Sequence, residues 1–396
     1  MRFPRIPASF NPKLAVLSLS HFVNDVHGVF LPTFLPIIVE NLGISYAQAG
    51  LLKSLSGFIH MIVQPMSGYL SDLFRRPWAL IIGPFFTSLG AAMLPAAPTY
   101  AISFLLVGLH SIGSAVYHPL GHGGVGYVVS SSRLAFSLSI FAVGGILGGT
   151  VSPLYAIFLY RTFGPVLLPI VALIPVVATG YLVYRYIPLL KEEREHSDIS
   201  TANFMKTLWV TYRQILPVWS VAVCRDTSVQ GIKFFLPLLI ASRGGDLINI
   251  GTILFIISIA GAVTPMMGGK LADSIGRRKV IAFAMIGGPC FMIPAAVTSG
   301  VISIALFTAG NALLQAILPV TGAAAQEMAP RHRSVVAALV TGLSFGLGGL
   351  LLAPIGAMAD SMGLVAALVF LGILPLLPMP MFFVQWSRIG VPAGKE

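Results

Sequence analysis

Long apolar runs dominate this sequence and limit the folds that it can adopt. A helix needs roughly 20 residues to cross about 30 Å of hydrocarbon, whereas a membrane-barrel strand needs only about 10. Only 9% of the 396 residues are charged, against about 25% in a typical soluble domain. The sequence therefore predicts an all-α integral membrane protein. Twelve transmembrane helices are expected at about 13–39, 48–71, 77–97, 99–120, 134–159, 164–187, 210–240, 248–271, 280–299, 302–326, 335–359 and 364–386.

The two halves of the sequence resemble each other. At shifts of 200 or 201 residues, Phe34-Leu35-Pro36 matches Phe235-Leu236-Pro237, Asp25 matches Asp226, and Gly148-Gly149 matches Gly348-Gly349. Such duplication is typical of transporters built from parallel repeats, with the substrate site between the repeats near the middle of the bilayer. We predict two pseudo-symmetric six-helix bundles, over residues 1–187 and 207–396, joined by a cytoplasmic linker over 188–206.

Basic residues are distributed unevenly between the predicted loops. Most lie at the termini and in the loops on the same side, whereas the opposite side keeps only Arg161 and Arg243. Because cytoplasmic loops of membrane proteins are enriched in Lys and Arg, both termini are predicted to be cytoplasmic. The same rule explains the net charge of +11 without a nucleic-acid partner.

Polar residues lie near the middle of the first apolar run, at His21, Asn24, Asp25 and His27. A carboxylate at that depth is costly unless it faces a protein interior or a wet cavity. Helical spacing places these side chains on one flank or on two adjoining flanks. Asp25 is therefore a candidate proton carrier, with His21 and His27 as candidate relays. For Asp25 the alternative is a structural ion pair with Arg225. For His27 the alternative is a hydrogen-bonded packing residue.

Other predicted helices also carry polar side chains. One helix face carries His110, Ser114 and His118, which recur every four residues beside Tyr117. The glycine-rich run 121–124 that follows is expected to be a turn. Arg225 and Lys233 lie in the seventh helix, and an arginine with a lysine in a cavity suits binding of a phosphate, phosphonate or carboxylate. Alternatively, Arg225 and Asp226 neutralise each other, and Lys53 and Lys233 extend to the outer headgroups.

These side chains give the predicted site. The proton-coupling group comprises Asp25, His21 and His118. The substrate-binding group comprises Asn24, His27, Gln64, His110, Tyr117, Arg225, Asp226, Gln230, Lys233, Asn311 and Gln315, and Lys53 is considered with them.

A loop motif at Gly269-x-x-x-Asp273-x-x-Gly276-Arg277-Arg278-Lys279 recurs in weaker form as Gly68, Asp72, Arg75 and Arg76. We predict a gating latch in which Asp72 or Asp273 caps a neighbouring helix N-terminus, where the helix dipole favours an anion. Its arginines would face lipid headgroups or a partner carboxylate. The latch residues are Gly68, Asp72, Arg76, Gly269, Asp273, Arg277 and Arg278. Positive-inside anchoring alone would explain the arginines but not the Gly and Asp spacing.

The loop motif resembles that of the major facilitator superfamily. Three further runs resemble its fosmidomycin-resistance branch: His21-Phe22-x-Asn24-Asp25, Gln64-Pro65 with Gly68-Tyr69, and Ser114-x-x-Tyr117-His118-Pro119. The resemblance implies the fold of that superfamily and a proton-driven exporter of small, mostly anionic or amphiphilic compounds, including antibiotics. It also implies a monomer in the bacterial inner membrane.

The leading functional hypothesis is a proton antiporter that exports an organic compound by alternating access. A proton-coupled importer of an organic anion and a non-transporting membrane sensor are the alternatives. The sequence has no metal-spaced ligand set and no nucleophile motif, so we expect no enzyme activity, no metal and no cofactor.

Overall fold

The fold is known from a computed structural model, which describes residues 11–71, 78–129, 134–187, 201–329, 336 and 338–386. All regular structure in these ranges is helical. The first half of the chain contains α1 (Pro12–Asp25), α2 (Phe30–Leu42), α3 (Tyr46–Ser71), α4 (Trp78–Met93), α5 (Tyr100–Val128) and α6 (Leu134–Tyr186). The second half contains α7 (Thr201–Ser242), α8 (Leu247–Ile275), α9 (Arg277–Val297), α10 (Gly300–Ala316), α11 (Leu318–Met328), a π-helical segment (Ala338–Leu343), α12 (Ser344–Leu350), α13 (Leu352–Met362), α14 (Leu364–Ile373) and α15 (Met379–Trp386).

The helices provide twelve crossings among the described residues. Nine helical segments are long and apolar enough to cross a bilayer. One of them, Ser137–Tyr186, has 50 residues, which is about 75 Å and enough for two crossings. Gly164 divides it, with a φ of 71° that favours glycine. The helices α3 and α7 have 26 and 42 residues and add the remaining crossings. The predicted all-α membrane fold is thereby confirmed.

The first predicted span is not one continuous helix. The chain leaves the helix after Asp25 and re-enters it at Phe30. Pro32 explains the break, because proline lacks the N–H that would bond to the carbonyl of residue 28 and its ring clashes with that carbonyl. Asp25 therefore ends α1, and His27 lies in the turn that follows, where helical spacing no longer sets its direction.

Two further expectations differ from the structure. The run 121–124, expected to be a turn, continues α5 as helix to Val128. Glycine disfavours helix by only about 1 kcal/mol per residue, and the burial of Leu120 and Val125 on either side of the run offsets that cost. The predicted linker, 188–206, lies outside the described residues up to 200, and its last residues form the start of α7.

The two halves of the chain pack together at one end of the helices. We call this end the far face; it lies opposite to Pro12, where α2 ends and α3 begins. There α3 packs on α12 and α13, α6 packs on α8, and α2 packs on α7 and α8. The contact between α3 and α12 is close enough that a Cβ at Gly57 would lie 2.6 Å from the carbonyl oxygen of Gly346. Small residues thus let the helices of the two halves meet along their backbones.

Candidate functional site

Two imidazoles face the carboxylate of Asp25. The distance from His21 Nε2 to Asp25 Oδ2 is 3.3 Å, and the distance from His118 Nε2 to Asp25 Oδ1 is also 3.3 Å. Asn24 Nδ2 donates a hydrogen bond of 2.8 Å to Oδ1. The side chains of Asp25 and His118 keep 23% and 24% of their surface exposed. We call His21, Asp25 and His118 the Asp25 trio; it is partly open to its surroundings, although it lies in membrane-crossing helices.

Backbone carbonyls fix the orientation of both imidazoles. His21 Nδ1 donates to the carbonyl of Phe141 at 2.8 Å, and His118 Nδ1 donates to the carbonyl of Ser114 at 2.8 Å. A carbonyl can only accept, so each Nδ1 carries its hydrogen and each Nε2 faces the carboxylate. Two unprotonated Nε2 atoms and an ionised carboxylate would oppose lone pairs to one another. The trio therefore forms hydrogen bonds only when it holds at least one additional proton.

The close approach of α6 to α1 holds the trio in place. A Cβ at Gly145 would lie 2.7 Å from Asp25 Oδ2 and would also collide with His21 Nε2. The same approach stacks the ring of Phe141 on His21, with ring centroids 4.2 Å apart. Any side chain larger than a hydrogen at position 145 would displace two of the three groups.

His60 belongs to the same polar surface, and the sequence analysis missed it. Its Nδ1 donates to the carbonyl of Ser56 at 2.8 Å, and its Nε2 lies 3.4 Å from the hydroxyl of Ser114. The same hydroxyl lies 3.4 Å from His118 Nδ1. The spacing in the sequence could have indicated it. His60 lies seven residues after Lys53 and four before Gln64, so these three side chains share one face of α3.

Arg225 pairs with Asp226 and not with Asp25. Its Nη2 and Nε donate to Asp226 Oδ1 at 2.6 and 3.1 Å, and its Nη1 donates to Thr321 Oγ1 at 3.0 Å. Ser344 donates to the other carboxylate oxygen of Asp226 at 2.8 Å. Arg225 has no exposed surface. The alternative of mutual neutralisation therefore describes the geometry, and the suggested pair between Asp25 and Arg225 is absent from the described contacts.

The structure separates His27 and His110 from the Asp25 carboxylate. His27 is fully buried; its Nδ1 donates to the carbonyl of Val23 at 2.8 Å and lies 2.9 Å from the hydroxyl of Ser88. The break after α1 turns it towards α4 and α6. His110 Nδ1 donates to the carbonyl of Thr87 at 2.9 Å. Both imidazoles are thus held inside the first half of the chain.

The remaining predicted substrate residues divide by burial. Tyr117 is fully buried, with its ring centroid 5.9 Å from that of His21. Buried Gln230 donates to the carbonyl of Phe345, and buried Asn311 donates to that of Ile257. The half-buried members are Gln64, Lys233 and Gln315. The structure thus gathers Asn24 and Tyr117 around the trio, whereas Gln230 and Asn311 bond to neighbouring helices of the second half.

The motif between α8 and α9 forms contacts inside the second half. Arg277 forms an ion pair with Glu327 at the end of α11, and Arg278 Nη2 lies 3.4 Å from the carbonyl of Phe383. Asp273 is exposed, and the N-terminus of α9 receives no side-chain cap. Gly269 lies in α8 with open space around it. In the weaker copy of the motif, Gly68 lies in α3, whereas Asp72 and Arg76 lie outside the described residues.

A carboxylate does cap a helix of the other half, but at the far face. Asp360, in the last turn of α13, accepts hydrogen bonds from the backbone N–H groups of Tyr46 at 2.7 Å and Ala47 at 2.8 Å. Two turns deeper in α3, Ser54 Oγ donates to the carbonyl of Leu350 at 2.9 Å and accepts from the N–H of Ala353 at 3.1 Å. These bonds hold α3 against α13.

The Asp25 trio is also the one set of described His, Cys, Asp and Glu side chains with three metal-binding atoms within 4.8 Å of one another. The sequence predicts no metal here. The nitrogen–oxygen separations of 3.3 Å place each Nε2 atom within ion-pair distance of the carboxylate.

Comparisons with known proteins agree with this architecture. The family model described as Major Facilitator Superfamily matches residues 17–353. The fosmidomycin resistance protein of Escherichia coli (strain K12) is 26% identical over 385 residues, which cover 95% of this chain and 93% of the relative. An uncharacterized MFS-type transporter, YfnC of Bacillus subtilis (strain 168), is 24% identical over 372 residues, covering 92% and 91%.

Among solved structures, a bacterial homologue of the human lysosomal transporter Spinster, in an inward-facing and unoccupied conformation, has the same fold. The TM-score is 0.71 at 17% identity, with 95% of this chain and 96% of the other covered. The family match, the relatives and the helical architecture together identify a multi-pass membrane transporter and not an enzyme. The chain belongs to the Major Facilitator Superfamily.

Proposed function

We propose that this transporter exports a small organic compound, anionic or amphiphilic and including antibiotics, in exchange for protons. The name of its relative in Escherichia coli, a fosmidomycin resistance protein, supports export of an antibiotic. The transporter would work as a monomer in the bacterial inner membrane with both termini in the cytoplasm, which the distribution of Lys and Arg supports.

The geometry of the Asp25 trio is the observation that carries proton coupling. Both Nδ1 atoms are committed to carbonyls, so any proton that the trio gains or loses must sit on Asp25 or on one of the two Nε2 atoms. A single carboxylate with two imidazoles can change its proton content without breaking the bonds that orient it. The partly exposed Asp25 and His118 give water a route to these atoms.

The packing of the two halves supports alternating access. They meet at the far face through α3 with α13 and α6 with α8. We infer that in this state the compound enters from the opposite, cytoplasmic side and protons leave to that side. Rocking of the halves would then open the far face and close the cytoplasmic side.

Flux measurements in proteoliposomes test the proposal. With an imposed pH gradient, adding fosmidomycin as probe substrate should move protons across the membrane only when the transporter is present. The variant Asp25→Asn should abolish this proton movement, whereas Asp246→Asn, in an exposed cap of α8, should preserve it.

Each outcome distinguishes the alternatives. Proton movement that survives Asp25→Asn would refute the role of the trio. Accumulation of the probe along the inward proton gradient would indicate an importer. The absence of flux with fosmidomycin and with a panel of other organic anions and amphiphiles would favour a membrane sensor.

A further inference from the structure

A half-buried lysine without a counter-ion lies between the two halves of the chain. The ion pairs among the described side chains join His21 and His118 to Asp25, Arg225 to Asp226, and Arg277 to Glu327, and none of them includes Lys53. An ammonium in a membrane-crossing helix is costly unless it is paired or faces a polar cavity. The position of Lys53 therefore needs an explanation other than a structural ion pair.

The side chain of Lys53 points away from the nearer headgroups. Gly349 packs beside the backbone of Lys53, and the ammonium lies 5.5 Å from the ring centroid of Phe345. Phe345 precedes Gly349 by about one helical turn in α12, which runs towards the far face, so the ammonium is directed to the middle of the protein. Extension to the headgroups at the far face would require the opposite direction.

Among the described residues, the groups around Lys53 provide no negative charge. The charge of Lys53 acts on the imidazoles of His60 on α3 and His110 on α5, and both imidazoles bond to backbone carbonyls through Nδ1. Asp25 on α1 is held by the trio, and Asp226 on α7 is held by its neighbouring arginine. An anion from outside the protein is the partner that this arrangement lacks.

We propose that Lys53 binds the carboxylate, phosphate or phosphonate group of the transported compound, and that Phe345 contacts the apolar part of the same molecule. The inference rests on the proposed function and replaces the expectation that Arg225 binds the anion, since the charge of Arg225 is already neutralised. Lys53 belongs to the first half of the chain and Phe345 to the second, so the bound anion would contact both halves as they move.

Binding of phenylphosphonate to the purified transporter tests this site. Lys53→Met should raise the Kd measured by isothermal titration calorimetry at least tenfold. Lys53→Arg should restore the Kd to within threefold of the original protein, because it retains a cation. The control, Lys270→Met, removes an exposed lysine of α8 and should change the Kd less than twofold.

A second measurement on the unaltered protein covers the case in which Lys53→Met does not fold. Acetylation of lysines by acetic anhydride, followed by mass spectrometry, should show that phenylphosphonate protects Lys53 and leaves Lys270 reactive. Binding without protection of Lys53, or an unchanged Kd in Lys53→Met, would overturn this site and leave the proposed export of anions intact. If the unaltered protein binds neither phenylphosphonate nor benzoate nor phosphate, the site and the anionic class of substrate both fail, while proton-coupled transport of a neutral amphiphile stays testable by flux.

Discussion

Asp360 stabilises the closed far face through bonds that exist only while α13 lies against α3. Its two carboxylate oxygens accept the N–H groups of Tyr46 and Ala47, which are unsatisfied by the helix that they begin. The carboxylate lies at the C-terminal end of its own helix, where the dipole opposes a negative charge, and at the N-terminal end of α3, where the dipole favours it. Substituting Asp360→Ala removes this contact between the halves and leaves the apolar packing unchanged.

The expected change follows from the strength of a helix cap. Removing a capping side chain costs about 0.5–2 kcal/mol, and the interaction with the dipole contributes about 0.3–1 kcal/mol at an exposed position. Because Asp360 is exposed, we take about 1–2 kcal/mol for the sum of the two contributions. At 1.4 kcal/mol per factor of ten, this is about a 5- to 30-fold change in the ratio of the open to the closed far face. Asp360→Asn keeps one acceptor oxygen and should produce an intermediate shift.

Distances between two spin labels measure this ratio. The labels would be placed at Asn41 and Met362, which are exposed near the far face on the two halves, after the native Cys224 and Cys290 are replaced by serine. The long-distance population should increase by the stated factor in Asp360→Ala.

The control for this measurement is a cap that acts within one half. Asp246 accepts the N–H of Asn249 at 2.8 Å in the first turn of α8, so Asp246→Ala loses a cap of the same type without breaking a contact between the halves. It should leave the distance distribution unchanged. An equal distribution in Asp360→Ala and in the unaltered protein would refute the assignment of Asp360 to the closed far face.

Three further substitutions test the packing and the charges. Gly145→Ala should abolish substrate-dependent proton flux because the new methyl group displaces two members of the Asp25 trio, whereas Gly149→Ala, with open space around the new group, should retain flux. Gly50→Ala should increase the open population at the far face in the spin-label assay, because its methyl group would collide with a backbone oxygen of α13. Arg225→Met should destabilise the protein by about 3–5 kcal/mol in thermal unfolding, since it leaves a buried carboxylate unpaired, and the added substitution Asp226→Leu should restore much of the loss. An unchanged unfolding temperature in Arg225→Met would contradict the structural role of this pair.

The helices could be predicted from the sequence because hydrophobic length is decisive in a membrane. Residues at the bilayer core must be apolar and must satisfy their own backbone hydrogen bonds, so the apolar runs report the crossings directly. The breaks were harder to predict. The break after Asp25 follows from Pro32, which interrupts the helix inside an apolar run of full length. The unbroken helix through Gly121 depends instead on tertiary packing, which weighs more than the local propensity of glycine.

The polar site could be predicted only in part, for a geometric reason. The pairing of His21 with Asp25 follows from a spacing of four residues in one helix, and His118 was recognised as part of a polar face. Contacts between helices carry no such spacing. The sequence alone therefore did not decide whether Arg225 meets Asp25 or Asp226, and it did not direct attention to His60, which approaches His118 only through a serine of another helix.

The two repeats place an aspartate at the same point and give it different partners. Asp25 and Asp226 are related by the shift of 201 residues, yet Asp25 faces two imidazoles and Asp226 faces a guanidinium. A guanidinium stays charged throughout the physiological range, whereas imidazoles gain and lose protons within it. The charge of the guanidinium in the second half is therefore permanent, and under the proposed function the trio in the first half would exchange protons while its backbone bonds persist. If the proposed proton coupling holds, the duplicated fold would assign proton exchange to one repeat and a fixed ion pair to the other. The substrate bound between them would then meet one half whose charge varies and one whose charge does not.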